Sequence, residues 1–91
     1  MNIEFTAHAW EDFNYWIAHD KLKVEKINEL IRSIRQTPFK GLGSPEPLRH
    51  ELQGFWSRRI DNEHRLVYRV IGTKAQDQKV QIIQCRFHYH R

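Results

Sequence analysis

After a short N-terminal alternation the hydrophobic spacing of this chain is helical up to Pro38 and changes there, and that change limits the folds open to it. Upstream, Val24, Ile27, Leu30, Ile31 and Ile34 recur at three- and four-residue steps, the pattern of one buried helix face, while Lys21, Lys23, Lys26, Arg32 and Arg35 lie largely outside it. Trp10, Phe13 and Ile17 repeat the spacing in an earlier helix that Thr6 is placed to cap. Asp20 caps the second helix, so the two form a hairpin, and Ile3 and Phe5 alternate with polar neighbours as a short strand ahead of it. Pro38 stops the second helix, and Pro38 to Pro47 is loop by its Gly and Pro content.

Beyond the loop the period is two. Leu48 to Leu52 is expected to add a short strand, and Phe55 to Ile60 and Arg65 to Ile71 read as strands joined by the turn Asp61-Asn62-Glu63-His64. Gly72 to Gln78 reads as a longer polar connection. In the last strand Val80 and Ile82 share one face, with Ile83, Cys85 and Phe87 on the other. Helices gathered at one end of the sequence and strands at the other predict a two-layer α+β domain: an N-terminal strand, a helical hairpin, then antiparallel strands forming one sheet. At 91 residues the chain is expected to be one domain, 1–91. One sheet face packs on the helices, and the other is polar and free to form a site.

Charge points to an anionic ligand, with fifteen Lys and Arg against eleven Asp and Glu giving +4. Ordinary solubility charge would give the same count. The single cysteine excludes an internal disulfide framework and suits a reducing cytoplasm. Neither a secretory leader nor an apolar stretch long enough to span a bilayer is read in the sequence.

Three stretches carry chemistry. In Ser44-Pro45-Glu46-Pro47-Leu48-Arg49-His50 a carboxylate sits between two prolines that stiffen its backbone, although a solvated loop acid is the plainer reading. Strand parity puts Arg65, Val67 and Arg69 on one face, with Arg59 able to approach Arg65 across the hairpin. Paired guanidinium forks suit phosphate oxygens, yet a merely solvated sheet face would look the same. The C-terminal Cys85-Arg86-Phe87-His88-Tyr89-His90-Arg91 offers His88 for proton transfer and Tyr89 for stacking on a base. A metal site built from His88 and His90 with His50 or His64 lacks the spacing of known zinc motifs. Cys85 reads as a small apolar strand residue. A carboxylate, two or three arginines and a histidine are the parts of a metal-free ribonuclease. A base takes the ribose 2′-OH proton, the alkoxide attacks phosphorus, cations stabilise the charge, and an acid protonates the leaving 5′-oxygen.

The run TPFKGLGSPEPLRHELQGFWSRRIDNEHRLVYRV, with CRFHY near the end, closely resembles the YoeB (Txe) toxins of the RelE-like superfamily. The similarity extends back through the hairpin, including Lys26 to Ile31, and so covers almost the whole chain. The resemblance implies a RelE-like, microbial RNase fold and cleavage of messenger RNA in the ribosomal A site, with no cofactor. It also implies a homodimer, a cytoplasmic location, and a YefM-like antitoxin that neutralises the toxin and through which alone it meets operator DNA. By position in the motifs, Glu46 is the implied general base, Arg65 the phosphate and transition-state stabiliser, and His88 the general acid. Arg59 and Arg49 would contact phosphate or RNA backbone, and Tyr89 would position or stack the substrate. Arg49 stands where relatives often have Lys, and Phe87 where Tyr is common; His90 and Arg91 extend past the usual end, and Gly72 to Lys79 looks longer than usual. A non-catalytic nucleic-acid-binding module, or a co-repressor acting only with its antitoxin, is the competing expectation.

Overall fold

A computed structural model describes residues 1–73 and 76–88. The elements are β1 (Asn2–Phe5), α1 (Ala7–His19), α2 (Lys21–Gln36), β2 (Glu46–Pro47), a 3₁₀ turn (His50–Leu52), β3 (Trp56–Arg59), β4 (Arg65–Thr73) and β5 (Gln76–Gln84). The strands form one sheet in the order β1-β5-β4-β3-β2. β2 to β5 pair antiparallel, whereas β1 runs parallel to β5, with Ile3 opposite Val80. The helical hairpin between β1 and the rest supplies the long connection that lets the first strand lie alongside the last.

Both helix starts are built as the sequence predicts. Thr6 Oγ1 accepts from the Ala9 N–H at 3.2 Å, and Asp20 Oδ1 accepts from the Leu22 N–H at 3.1 Å. The Asp20 N–H also donates to Trp16 O at 2.7 Å, so one extended residue closes α1 and opens α2. Ile27, Leu30 and Ile34 of α2 are fully buried, with Val24 and Ile31 packed partly against them. Each full burial is worth about 2 kcal/mol. They meet Leu66, Tyr68, Val80 and Ile82 of the sheet.

Four expectations need correction. The buried face of α1 is Ala9, Asp12 and Trp16, not a stripe centred on Trp10, Phe13 and Ile17. Trp10 and Ile17 are each 52% exposed; Trp10 instead leans on Phe5 and Phe13 at the edge of the core. Leu48 to Leu52 forms no strand: Leu48 donates to Phe55 O and the chain then closes the 3₁₀ turn, while the short strand is Glu46–Pro47, inside the segment read as loop. Within the polar stretch Gly72 to Gln78 the described residues, 72–73 and 76–78, are strand, because β4 runs to Thr73 and β5 starts at Gln76, and an exposed two-stranded ribbon needs no apolar alternation. Finally, the pairing shifts register after Tyr68–Ile82, so that Val67 faces Gln84 and Ile83 is the extra residue. That bulge turns Cys85 into the same core as Val80 and Ile82, rather than onto the opposite face.

Candidate active site

The outer face of the sheet carries the candidate site. Glu46 lies opposite Ser57, Ser57 opposite Val67, and Val67 opposite Gln84, a row across four strands. The next row is Arg59 opposite Arg65. Ser57 and Val67 are buried and form a floor, with Glu46 and Arg59 exposed on either side of it. Adjacent strands lie about 4.8 Å apart and alternate residues about 6.7 Å apart, so the Cα atoms of Glu46 and Arg65 are roughly 12 Å from each other. Their side chains can meet over one phosphodiester.

Glu46 owes its position to a short edge strand, where Pro45 and Pro47 cost no interior ladder bond. The loop leading to it is held from below by Arg58. This side chain is fully buried and donates to Ser33 Oγ (2.8 Å), Leu42 O (3.0 Å), Thr37 O (2.7 Å), Lys40 O (2.7 Å) and the Tyr68 hydroxyl (3.1 Å). Tyr68 in turn donates to Pro38 O at 2.6 Å, and burial pushes its phenol pKa up against the opposing pull of Arg58. Gly43 completes the fastening: its carbonyl accepts from the Arg59 N–H at 2.7 Å.

Arg65 is buried, and its Nη1 donates to Asp61 O at 2.8 Å and His64 O at 3.1 Å. The Asp61 carboxylate organises that turn by accepting from the N–H groups of Glu63 (2.8 Å) and His64 (2.6 Å). Burial alone would raise its pKa; the two N–H donors and Lys23, 3.1 Å away, overcome this and hold it below the ordinary value. A guanidinium anchored to backbone carbonyls keeps its direction when a phosphate arrives.

The C-terminal segment is tied beside Arg65. Cys85 N donates to Asp12 Oδ2 at 3.0 Å, and Trp16 Nε1 donates to Cys85 O at 2.8 Å. The Arg65 N–H donates to Phe87 O at 3.0 Å, and the Phe87 N–H donates to His64 Nδ1 at 2.6 Å. Arg86 stacks over Tyr15, 3.4 Å from the ring centroid. His88 follows directly and is exposed. Burial, reinforced by Asp12, pushes the Cys85 thiol pKa up to about 12, which leaves it an inert core residue.

Of the residues singled out in the sequence, Glu46, Arg59 and Arg65 share one face, and His88 adjoins Arg65 through Phe87. Arg49 is exposed at the head of the 3₁₀ turn, off the sheet. Tyr89, with His90 and Arg91, lies outside the described residues. With other described residues Glu46, Arg49 and Arg59 form no side-chain hydrogen bond or ion pair, so their charges remain available to a ligand. Among the described residues no three His, Cys, Asp or Glu side chains converge.

Sequence reasoning missed Arg58, and read His64 only as a turn residue and as one alternative in a metal site. Strand parity could have found the first, since Arg58 alternates with Ser57 and Arg59 and must point at the helices. Nothing local marks the second, whose partner Phe87 lies 23 residues away.

Residues 5–89 match the family described as YoeB-like toxin of bacterial type II toxin-antitoxin system. The chain is 52% identical over 89 residues to Toxin YoeB of Escherichia coli K12, covering 98% of this chain and 100% of that one. Among solved structures, a YoeB/ParE toxin from Agrobacterium tumefaciens superposes with a TM-score of 0.92 at 52% identity, covering 98% of this chain and 100% of that chain. YoeB from Staphylococcus aureus, solved as a dimer and in a heterotetrameric complex with YefM, superposes with TM-scores of 0.86 and 0.85 at 44% identity, covering 98% of each chain.

Proposed function

Because this chain belongs to the YoeB-like toxins of bacterial type II toxin–antitoxin systems, we propose that it is a metal-independent endoribonuclease that cuts messenger RNA on the ribosome and so stops translation. The observation that carries the reading is the strand register that sets Glu46 across a buried floor from Arg59 and Arg65. Glu46 accepts the ribose 2′-OH proton, and the resulting alkoxide attacks the adjacent phosphorus. Arg65, fixed by the β3–β4 turn, stabilises the charge that grows on the phosphoryl oxygens, and Arg59 binds the phosphate from the same row. His88 protonates the departing 5′-oxygen, giving a 2′,3′-cyclic phosphate and a 5′-hydroxyl. Arg49 contacts RNA backbone beyond the cut, and Tyr89 stacks on a base.

The partners follow from the same family. The S. aureus relative forms a complex with YefM and a dimer, and we assign this chain a YefM-like antitoxin and a homodimer on that basis. Operator DNA is met only through the antitoxin complex, and the protein acts in the cytoplasm.

The test is cleavage mapping on a defined messenger in a reconstituted translation mixture, with Glu46→Ala beside the parent. The parent should cut translated messenger and leave cyclic phosphate ends, and the variant should be slower by about 100-fold or more. Binding without cleavage by the parent would instead mark a non-catalytic nucleic-acid module.

A further inference from the structure

We propose that His64 is a positioning residue whose unprotonated Nδ1 holds the Phe87 amide and thereby sets where the chain presents His88. The role in cleavage rests on the reading of His88 as general acid given above; the hydrogen bond itself does not.

Phe87 is held at two points by adjacent residues of the β4 start. His64 Nδ1 accepts from its N–H at 2.6 Å, and the Arg65 N–H donates to its carbonyl at 3.0 Å. Gln84 Nε2 adds a bond to the same carbonyl at 3.3 Å. Phe87 needs this hold, because its φ is +66°, a left-handed conformation that a residue with a Cβ adopts only when its surroundings impose it. The ring of His64 is fixed in turn: it is buried, edge-on to Trp16 with centroids 4.8 Å apart, and 5.9 Å from the Phe87 ring. The imidazole therefore holds the N–H side of Phe87, while Arg65 and Gln84 hold its carbonyl, and together they set the direction in which the chain enters residue 88.

The bond exists only while Nδ1 carries no proton. An imidazolium has two donors and no acceptor, so protonation would set N–H against N–H at Phe87 and release that end of the clamp. The Glu63 carboxylate is 3.6 Å from Nε2, and the segments packed against the ring also carry Asp61, Lys23, Arg65, Arg86, His88 and, on α1, Asp12. Any of these could lend activity a pH dependence of its own. The decisive comparison is therefore between side chains at position 64.

Asparagine carries its amide on the same carbon as Nδ1 and can offer Oδ1 to Phe87. Glutamine moves its amide one bond outward, toward the place of Nε2, and phenylalanine keeps only the packing on Trp16. The experiment measures amide hydrogen-exchange protection at Phe87 by NMR in the parent, H64N, H64Q and H64F, alongside RNA cleavage by the same preparations. Protection in H64N should stay within about threefold of the parent, whereas H64Q and H64F should each lose about tenfold, the worth of one hydrogen bond. Maximal cleavage rate should follow the same order with little change in substrate affinity. Equal protection in the parent and H64Q would overturn the clamp, and that comparison remains if H64F does not fold. A parent that protects Phe87 but cleaves no RNA would overturn the functional reading and leave the clamp standing.

Discussion

A guanidinium taken out of water loses several kcal/mol of hydration, and only a full set of acceptors can restore it. Arg58 has that set without a counter-ion: three carbonyls and two hydroxyls take its protons, and no carboxylate of the described residues pairs with it. Its neighbour Arg59 is exposed and makes none of these bonds. Replacing Arg58 with Met should cost about 3 kcal/mol in urea unfolding, because the carbonyls of Thr37, Lys40 and Leu42 lose the donor that fastens the loop. Arg59→Ala should change stability by no more than about 0.5 kcal/mol while weakening RNA binding. An Arg58→Met protein as stable as the parent would show that the loop is held by other means. The two arginines are alike in the sequence; only the parity of β3 separates a fastening from a ligand contact. The candidate site was legible where its residues share the outer face by strand parity, as with Glu46, Arg59 and Arg65. It was illegible at Arg58 and His64, whose partners are backbone atoms of distant segments.

The loop between α2 and β2 shows how an irregular segment can aim a carboxylate. It crosses over α2 so closely that a Cβ at Gly43 would lie 2.7 Å from Leu30 Cδ2 and 3.2 Å from the Arg59 carbonyl oxygen, and its φ of +85° already disfavours any other residue. Gly43→Ala should therefore destabilise the fold by about 2 kcal/mol and displace Glu46, so that cleavage falls by more than the unfolded fraction accounts for. Thermal unfolding and cleavage measured on the same sample would separate the two effects, and an unchanged melting temperature would refute the argument. Elements with a strong period, α2 and β4 above all, could be read from the sequence because one face of each is apolar. The extension of β4 to Thr73 and of β5 back to Gln76 could not, since a two-stranded ribbon exposed on both sides is held by backbone bonds and leaves no hydrophobic trace. Nor could the true face of α1, where Asp12 is buried because it accepts the Cys85 N–H.

Across the molecule, the hairpin and the sheet are joined by the ion pair of Lys23 and Asp61 as well as by the core. Lys23 of α2 reaches Asp61 in the β3–β4 turn at 3.1 Å, and Asp61 is the residue that shapes the turn under Arg65. The parallel pairing of β1 with β5 and this bridge are contacts between opposite parts of the chain, which explains why the layer order was predictable and its cross-links were not. The pair makes stability depend on pH in a defined sense. The folded pKa of Asp61 lies below its ordinary 3.8, so its contribution is complete above that value and is lost as pH falls through the folded one. Lys23 is raised above 10.5, chiefly by its bond to Asp61, so its contribution is complete below 10.5 and fades as pH rises through the folded value. Asp61→Asn should therefore be less stable than the parent at neutral pH, by no more than about 1 kcal/mol because solvent screens the pair. The gap should close as acid protonates Asp61 in the parent, and should narrow at high alkalinity as Lys23 loses its charge. Urea midpoints measured from pH 2 to 7 test this directly. Parallel stability curves for the two proteins across the acid range would mean that the turn is held by its backbone bonds alone, and that Arg65 is braced without help from α2.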